Sequence, residues 1–419
     1  MDRNDRALTA FTMLGHATFH TYELVVPIFV VVWLDAFSTT TAFLGVIVGA
    51  SYAFTGVGAL PSGALSDRFS AKRLIVASMA GMGAGFLLVS AAPNLVVLSL
   101  GLLVWGVAAS VYHPTGLSLI SRGATERGTA FAYHGAAGNV GVATGPLLGA
   151  VLLVFFGWRT VAALLVVPSA LGIVLALRLE FDETAAVDAD APVTDGAGEG
   201  DADTVGRGEP GGLHRFASDS RLLFAGGFLL VFFIGNLYGL YYRGAFTFLP
   251  DILAGLPLFD PVAFAGRSFE PSQYVYSGLL VLGGAGQFVG GKLVDRFRAE
   301  RVLVANFAVL ALVALAFVPA ANAGLGPLLV VSGLLGFFVF LEAPVNQEVI
   351  SRHVPADLRG LSFGWTYIAV FGVGALGSAV AGFVLSRWSS GVLFGILASF
   401  AVLAGLIGVY LSRRTARSP

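Results

Sequence analysis

Twelve stretches of this chain reach the ~20 apolar residues a helix needs to cross a bilayer. They run roughly over 8–34, 41–66, 73–91, 94–121, 127–156 and 158–179, then 221–254, 271–294, 301–320, 326–351, 358–385 and 388–411. No water-soluble fold can hide that many apolar runs. With 56% hydrophobic and 12% charged residues, its surface would run short of polar side chains. Spanning strands are not expected, because period-2 alternation is missing and open sheet edges cannot face lipid. The expected fold class is therefore an all-α membrane protein with 12 transmembrane helices. The 55 glycines suit close helix packing in lipid, and the absence of cysteine excludes disulfides and thiolate metal sites. The polar start, Met1 to Arg6, leads into a segment longer than a signal-peptide core and without a small-residue cleavage site, so no cleavable signal is expected.

Basic residues set the expected orientation. If the N-terminus is cytoplasmic, all of the 24 Lys and Arg fall on the cytoplasmic side except Arg159, Arg243, Arg267 and Arg387. An even helix count then puts both termini in the cytoplasm, in a multi-pass protein of the cell membrane.

One polar stretch divides the chain. Residues 180–219 hold 11 Asp and Glu against 2 Arg, with Gly, Ala, Thr and Pro. Such a composition cannot offset the entropy of ordering by burying apolar surface. The expected organisation is a six-helix bundle over 1–180, an acidic disordered cytoplasmic linker over 181–219 and a second six-helix bundle over 220–419.

The two bundles repeat each other. Gly63-Ala64-Leu65-Ser66-Asp67-Arg68-Phe69 returns as Gly291-Lys292-Leu293-Val294-Asp295-Arg296-Phe297. Pro114 with Ile120-Ser121-Arg122 returns as Pro344 with Ile350-Ser351-Arg352. Arg127-Gly128 returns as Arg359-Gly360, and Pro27 as Pro250. A parallel repeat of this kind implies a pseudo-twofold axis along the membrane normal, with a binding site between the halves near midplane.

On these residues the chain resembles the major facilitator superfamily of secondary transporters, over nearly its whole length. Gly63 to Arg73 is similar to that family's signature between the second and third helices. The resemblance implies the facilitator fold, and a cytoplasmic gate formed by Asp67 and Arg68 with the repeated Asp295 and Arg296. His16-x3-His20-x-Tyr22-x4-Pro27, Tyr112-His113-Pro114 and Gly138-Asn139-Val140-Gly141-x3-Gly145-Pro146-x2-Gly149 resemble the fosmidomycin-resistance branch. The last stretch is also similar to the glycine-proline pattern of drug/proton antiporters. What this branch implies is export coupled to proton entry.

Ionisable groups at bilayer depth are costly, by roughly 2.5–3.5 kcal/mol on insertion scales, and so mark function or a buried partner. Glu23 lies near the middle of the first span, with His16 and His20 on one face nearby; a proton or cation relay and a satisfied structural cluster are both open. Glu342, with Asn346 four residues on, is the strongest single candidate for a proton carrier or substrate ligand. Nothing in its own helix neutralises it; pairing with Arg243 is the alternative. Arg243, seven residues before Pro250 as His20 is before Pro27, suits an anion, an ion pair with Glu23 or Glu342, or snorkelling to headgroups. His113 and His134 share a similar depth and are expected to meet. Asn139 and Trp365 complete the substrate or proton candidates. No metal cluster is expected, since His16 and His20 lack a clear third ligand. No Gly-x4-Gly-Lys-Ser/Thr loop occurs, so the proton gradient rather than ATP is the expected energy source, with no cofactor.

The expected function is a monomeric secondary transporter moving a small organic solute by alternating access. Proton-coupled export comes first, and uptake of an organic anion is the alternative. A non-transporting membrane enzyme or sensor is the reading from another class, and the chain shows neither a converging nucleophile set nor a soluble output domain. Nucleic acid is not an expected partner.

Overall fold

The computed structural model describes residues 1–66, 68–189, 212–355 and 358–415. In the first half, α1 (Arg3–Ala36), α4 (Ala71–Ser90) and α7 (Arg127–Phe155) are continuous spans. Three further spans are broken. α2 (Thr41–Val57) and α3 (Ala59–Ser66) meet at Gly58; α5 (Leu95–Ala109) and α6 (Tyr112–Gly123) meet at Ser110 and Val111; α8 (Trp158–Leu164) and α9 (Val166–Arg178) meet at Leu165. In the second half the spans are α12 (Phe228–Phe246) with α13 (Leu249–Ala254), α14 (Pro271–Val294), α15 (Ala299–Ala323), α16 (Leu325–His353), α17 (Arg359–Tyr367) with α18 (Leu376–Leu385), and α19 (Ser390–Thr415). Between α17 and α18 the helix widens to π geometry over Ile368–Val373. Short helices α10 (Ala185–Ala189) and α11 (Gly212–Phe224) border the centre of the chain.

Among the described residues, eleven helices are long and apolar enough to cross a membrane, and the bent pair Phe216–Phe224 with Phe228–Ala254, taken as one span, raises the count to 12. This bears out the expected all-α architecture. The pair bends by 87°, so the seventh span starts at Phe228 rather than near 221, and α11 lies off its axis.

Side-chain caps start several spans. The Asp2 carboxylate accepts from Asp5 N, Thr40 Oγ1 from Phe43 N, and Asn94 Oδ1 from Val96 N and Val97 N. The Asp5 carboxylate reaches across to α7, accepting from Thr125 N (2.9 Å), Glu126 N (2.9 Å) and Thr125 Oγ1 (2.8 Å).

The linker departs from expectation at its start. Glu183 docks on the N-terminus of α4, where its carboxylate accepts from Ser70 Oγ, Ala71 N and Lys72 N. A carboxylate at a helix N-terminus meets unsatisfied N–H groups and the positive end of the dipole, which is why this acidic residue orders. α10 follows, and α11 begins before 219, so residues 181–189 and 212–219 are structured. Residues 190–211 lie outside the described residues.

One β-hairpin also departs from the all-helical reading. Val262–Phe264 pairs antiparallel with Arg267–Phe269 through Ala265 (φ 52°) and Gly266 (φ 72°). Two positive φ values make the tight turn whose twist matches a hairpin. It sits in the loop between α13 and α14, outside any span, so it exposes no edge to lipid.

Glycines let α7 pack closely on α1. A methyl group at Gly141 would meet the Ala17 carbonyl, and one at Gly145 the Thr21 carbonyl, 2.6 Å away. The glycine-proline stretch is thus an α1 contact surface.

The halves meet chiefly away from the face that carries the chain termini. α2 packs on α18, where Gly45 lies against the Ser378 carbonyl and Thr41 Oγ1 donates to Gly382 O (2.9 Å). α13 packs on α1, and α7 on α14. Arg267 of the hairpin donates to Val154 O at the end of α7 (3.3 Å) and covers the Phe155 ring. We call this the opposite face, and the other the terminal face. On the terminal face, α17 touches α3 where Gly364 approaches Leu60.

Candidate functional site

The first span bends its polar residues toward the second half. Glu23 and Arg243 are both almost fully buried and form an ion pair between α1 and α12. The other carboxylate oxygen of Glu23 accepts from His20 Nδ1 at 2.6 Å. The Arg243 guanidinium lies 3.7 Å from the Tyr52 ring centroid, 4.9 Å from Tyr242 and 5.5 Å from Phe371. Tyr52 in turn donates to the Glu23 carbonyl at 2.9 Å. One buried cation is therefore held by a carboxylate from one half and by rings from both.

Of the three expectations for Arg243, the structure realises the pair with Glu23. Among the described residues no Arg243–Glu342 pair occurs, and Arg243 does not snorkel, since it points inward and is 3% exposed.

Next to this pair lies a histidine cluster. His16 Nδ1 donates to the His134 carbonyl (2.7 Å), and the His16 and His134 rings stack at 3.9 Å. His16 Nε2 faces His20 Nε2 at 3.1 Å. His113 packs edge-on against His16 at 5.0 Å. His113 and His134 thus converge, as expected from their depth, but through His16, which sits between them. Gly138 clears the space for the His16 ring, because any side chain there would collide with it. Tyr112 donates to the Thr12 carbonyl and lies 3.2 Å from His134 Nε2. From the second half, Tyr367 reaches His113 at 5.5 Å and stacks on Phe371. Tyr367 immediately precedes the π stretch and Phe371 lies within it, a distortion frequent at functional sites.

The expectation that His16 and His20 lack a third ligand is corrected. The break between α5 and α6 aims His113 at them, a long-range approach that spacing within α1 cannot reveal.

Glu342 and Asn346 lie one turn apart on α16, 1% and 5% exposed. Oε1 of Glu342 and Oδ1 of Asn346 have no hydrogen-bond partner. Tyr238 of α12 faces Glu342, and its hydroxyl donates to the Val339 carbonyl at 3.0 Å. Tyr238 stacks on Tyr242 at 6.1 Å, which leads to Arg243. The polar chain therefore runs from Glu342 through two tyrosines to the Arg243–Glu23 pair and on to the histidines, crossing from one half to the other.

Two candidates lie apart from this chain. The Trp365 indole donates to Ser220 Oγ (3.2 Å) and packs on Phe224 and Phe232, within its own half. Asn139 is half-buried on α7, next to the glycine that receives His16. Of the gate residues, Asp67 lies outside the described residues and Arg68 is exposed. Asp295 is 3.9 Å from Lys292 of its own half. Arg296 lines a cleft of 480 Å³ with Arg298, Arg301, Phe338 and Leu341.

Sequence reasoning missed Tyr52. A tyrosine at mid-span was the available signal, since a buried hydroxyl needs a partner.

The comparisons with known proteins agree with this architecture. The family model described as Major Facilitator Superfamily matches residues 10–375 and 266–419. The chain belongs to the major facilitator superfamily. It is a transporter built as this family builds them, not an enzyme. A Na(+), Li(+), K(+)/H(+) antiporter of Planococcus maritimus is 25% identical over 93% of this chain and 92% of its own length. The puromycin resistance protein of Streptomyces alboniger is 36% identical over 27% of this chain, and the match spans 23% of that protein. Among solved structures, a bacterial homolog of the human lysosomal transporter Spinster, in an inward-facing conformation, superposes with a TM-score of 0.74. It is 15% identical and the match covers 99% of this chain and 98% of that one. A D-xylose–proton symporter gives a TM-score of 0.70 at 14% identity, covering 97% of both chains. At these identities the structures speak to the fold alone.

Proposed function

We propose that this facilitator is a proton-coupled exporter of a small amphiphilic organic compound. It works as a monomer in the cell membrane, with both termini in the cytoplasm. The Lys and Arg asymmetry supports that orientation. The opposite face is then the outer one, closed in the arrangement described by α2 on α18 and α1 on α13. Transport is rocking of the first six spans against the last six, with the linker as tether. Asp67 and Arg68, with Asp295 and Arg296, form the gate that closes the cytoplasmic side in the other state.

The observation that carries coupling is Glu342. It is a buried carboxyl with an unpartnered oxygen, on the wall of the inter-half chain of polar groups. A neutral carboxylic acid tolerates an apolar interior that an unpaired carboxylate does not. The titratable group facing it is Tyr238, whose hydroxyl is already spent on a backbone carbonyl. Glu342 loads a proton from the outer side, carries it through the rocking step and releases it inside as substrate leaves. Similarity to a puromycin resistance protein and to a Na(+), Li(+), K(+)/H(+) antiporter supports this reading. The aromatic walls at Tyr52, Tyr242, Tyr367 and Phe371, with Asn139 and Asn346 nearby, suit an amphiphile. Uptake of an organic anion anchored on Arg243 is disfavoured, because the anion would have to displace Glu23.

The test is substrate-driven proton movement into liposomes with an entrapped pH dye, across a panel of drugs and organic anions, for wild type and Glu342→Gln. The expected result is a substrate-dependent pH change in wild type that is absent in Glu342→Gln, while substrate exchange without a gradient persists. A pH change of equal size in Glu342→Gln would remove Glu342 from the coupling path.

A further inference from the structure

The histidine cluster has the chemistry of a metal site. One ring nitrogen from each of His16, His20 and His113 lies within 4.8 Å of the other two. Hydrogen bonds fix which nitrogens are available. Nδ1–H of His16 is committed to the His134 carbonyl and Nδ1–H of His20 to the Glu23 carboxylate. That leaves two Nε2 lone pairs facing each other at 3.1 Å. Two acceptors that close repel unless positive charge lies between or beside them. His113 Nε2 is buried and has no hydrogen-bond partner. It is a third lone-pair site or an idle donor on another helix, in the residue whose ring supplies the third nitrogen of the set.

We propose that His16, His20 and His113 form a binding site for a borderline divalent transition-metal ion of the Zn²⁺ or Co²⁺ type. Tetrahedral zinc with Zn–N bonds of about 2.0–2.1 Å places its ligand nitrogens roughly 3.3–3.4 Å apart. The 3.1 Å spacing of the first pair is close to that, and the third nitrogen, within 4.8 Å, closes on them by rotation of the rings. Second-shell acceptors on the far nitrogens, one carbonyl and one carboxylate, are the partners metal-bound imidazoles take. His134 stacks on His16 and its Nε2 faces Tyr112, so it supports the site rather than ligating. The His20 side chain is 17% exposed and supplies the path of entry. Three imidazoles leave a fourth coordination position for another ligand, the pattern of a site that binds an exchangeable ligand rather than a closed structural one. Because Glu23 joins His20 to Arg243, an ion here is one residue removed from the pair that joins the two halves. The inference stands without the export reading.

The test uses full-length protein without a polyhistidine tag, stripped with a chelator and titrated with Co²⁺ in detergent. Visible absorption reports tetrahedral cobalt, and Zn²⁺ displaces it. The expected result is one Co²⁺ per chain. His113→Ala and His20→Ala are expected to weaken it by at least about 100-fold, the upper range seen on removing even second-shell partners. Tyr112→Phe, a neighbour outside the ligand set, is expected to retain tetrahedral Co²⁺ at one per chain and shows that the cluster tolerates local change. Thermal unfolding and elution volume of each variant separate lost ligation from lost fold. Absence of a tetrahedral spectrum in wild type, or unchanged binding in folded His113→Ala, would overturn the site and leave a shared proton as the charge between His16 and His20.

Discussion

Arg243→Ala tests whether the ion pair with Glu23 holds the halves together at the opposite face. Removing one partner of a buried pair costs about 3–5 kcal/mol, because the other charge is left without its counter-ion. Glu23 keeps its bond from His20, which favours the lower figure. Loss of the guanidinium over Tyr52 adds up to ~2 kcal/mol. Only the part specific to the sealed state moves the equilibrium. A differential of roughly 1.4–2.8 kcal/mol corresponds to about a 10- to 100-fold larger population with the opposite face open. Ser378, fully buried on α18 against α2, reads that population when changed to cysteine. The chain has no cysteine of its own, so labelling is unambiguous. Maleimide should label Ser378→Cys faster by that factor when Arg243→Ala is added. The double change Glu23→Leu with Arg243→Leu, which leaves no orphaned charge, should label closer to the parent. Equal rates in the parent and in Arg243→Ala would refute the claim that this pair seals the face.

Three further outcomes follow from the same contacts. Gly141→Val presses a branched side chain on the Ala17 carbonyl and should destabilise the protein by about 1–3 kcal/mol, read as a lower midpoint of thermal unfolding. Asp5→Ala leaves Thr125 and Glu126, just before α7, without their buried acceptor and should lose about 1–3 kcal/mol in the same assay, with transport kinetics otherwise preserved. Trp365→Phe should leave substrate-driven flux within about twofold of wild type, since its indole donates to Ser220 and packs on α11 and α12; one hydrogen bond is worth only about 1 kcal/mol.

The spans, the repeat and the buried ionisable groups were legible because lipid imposes strong rules. A charge such as Glu342 stands out against apolar neighbours, and a helix must be long enough to cross. The partners of those charges were not legible. Whether Arg243 meets Glu23 or Glu342 depends on how two halves pack, and no periodicity encodes that. The third histidine is similar: His113 reaches His16 only because the fourth span breaks at Ser110 and Val111. Trp365 shows the converse. Its position in an apolar span suggested a cavity wall, but α11 turns off the seventh span by 87° and packs Phe224 against it, leaving it half-buried. The acidic linker was read from average composition, and one residue, Glu183, escapes the average by finding a helix N-terminus.

The most direct measurement of the alternating-access claim is transport by a Gly49→Cys, Ser378→Cys pair. A Cβ placed on Gly49 lies 3.5 Å from that of Ser378 in the other half, within the range of a disulfide. Oxidation should lock the opposite face shut and stop substrate-dependent proton flux in liposomes, reduction should restore it, and each single variant should be insensitive to oxidant. Undiminished flux through the quantitatively cross-linked protein would contradict the account, because the solute would then be crossing without the halves moving apart.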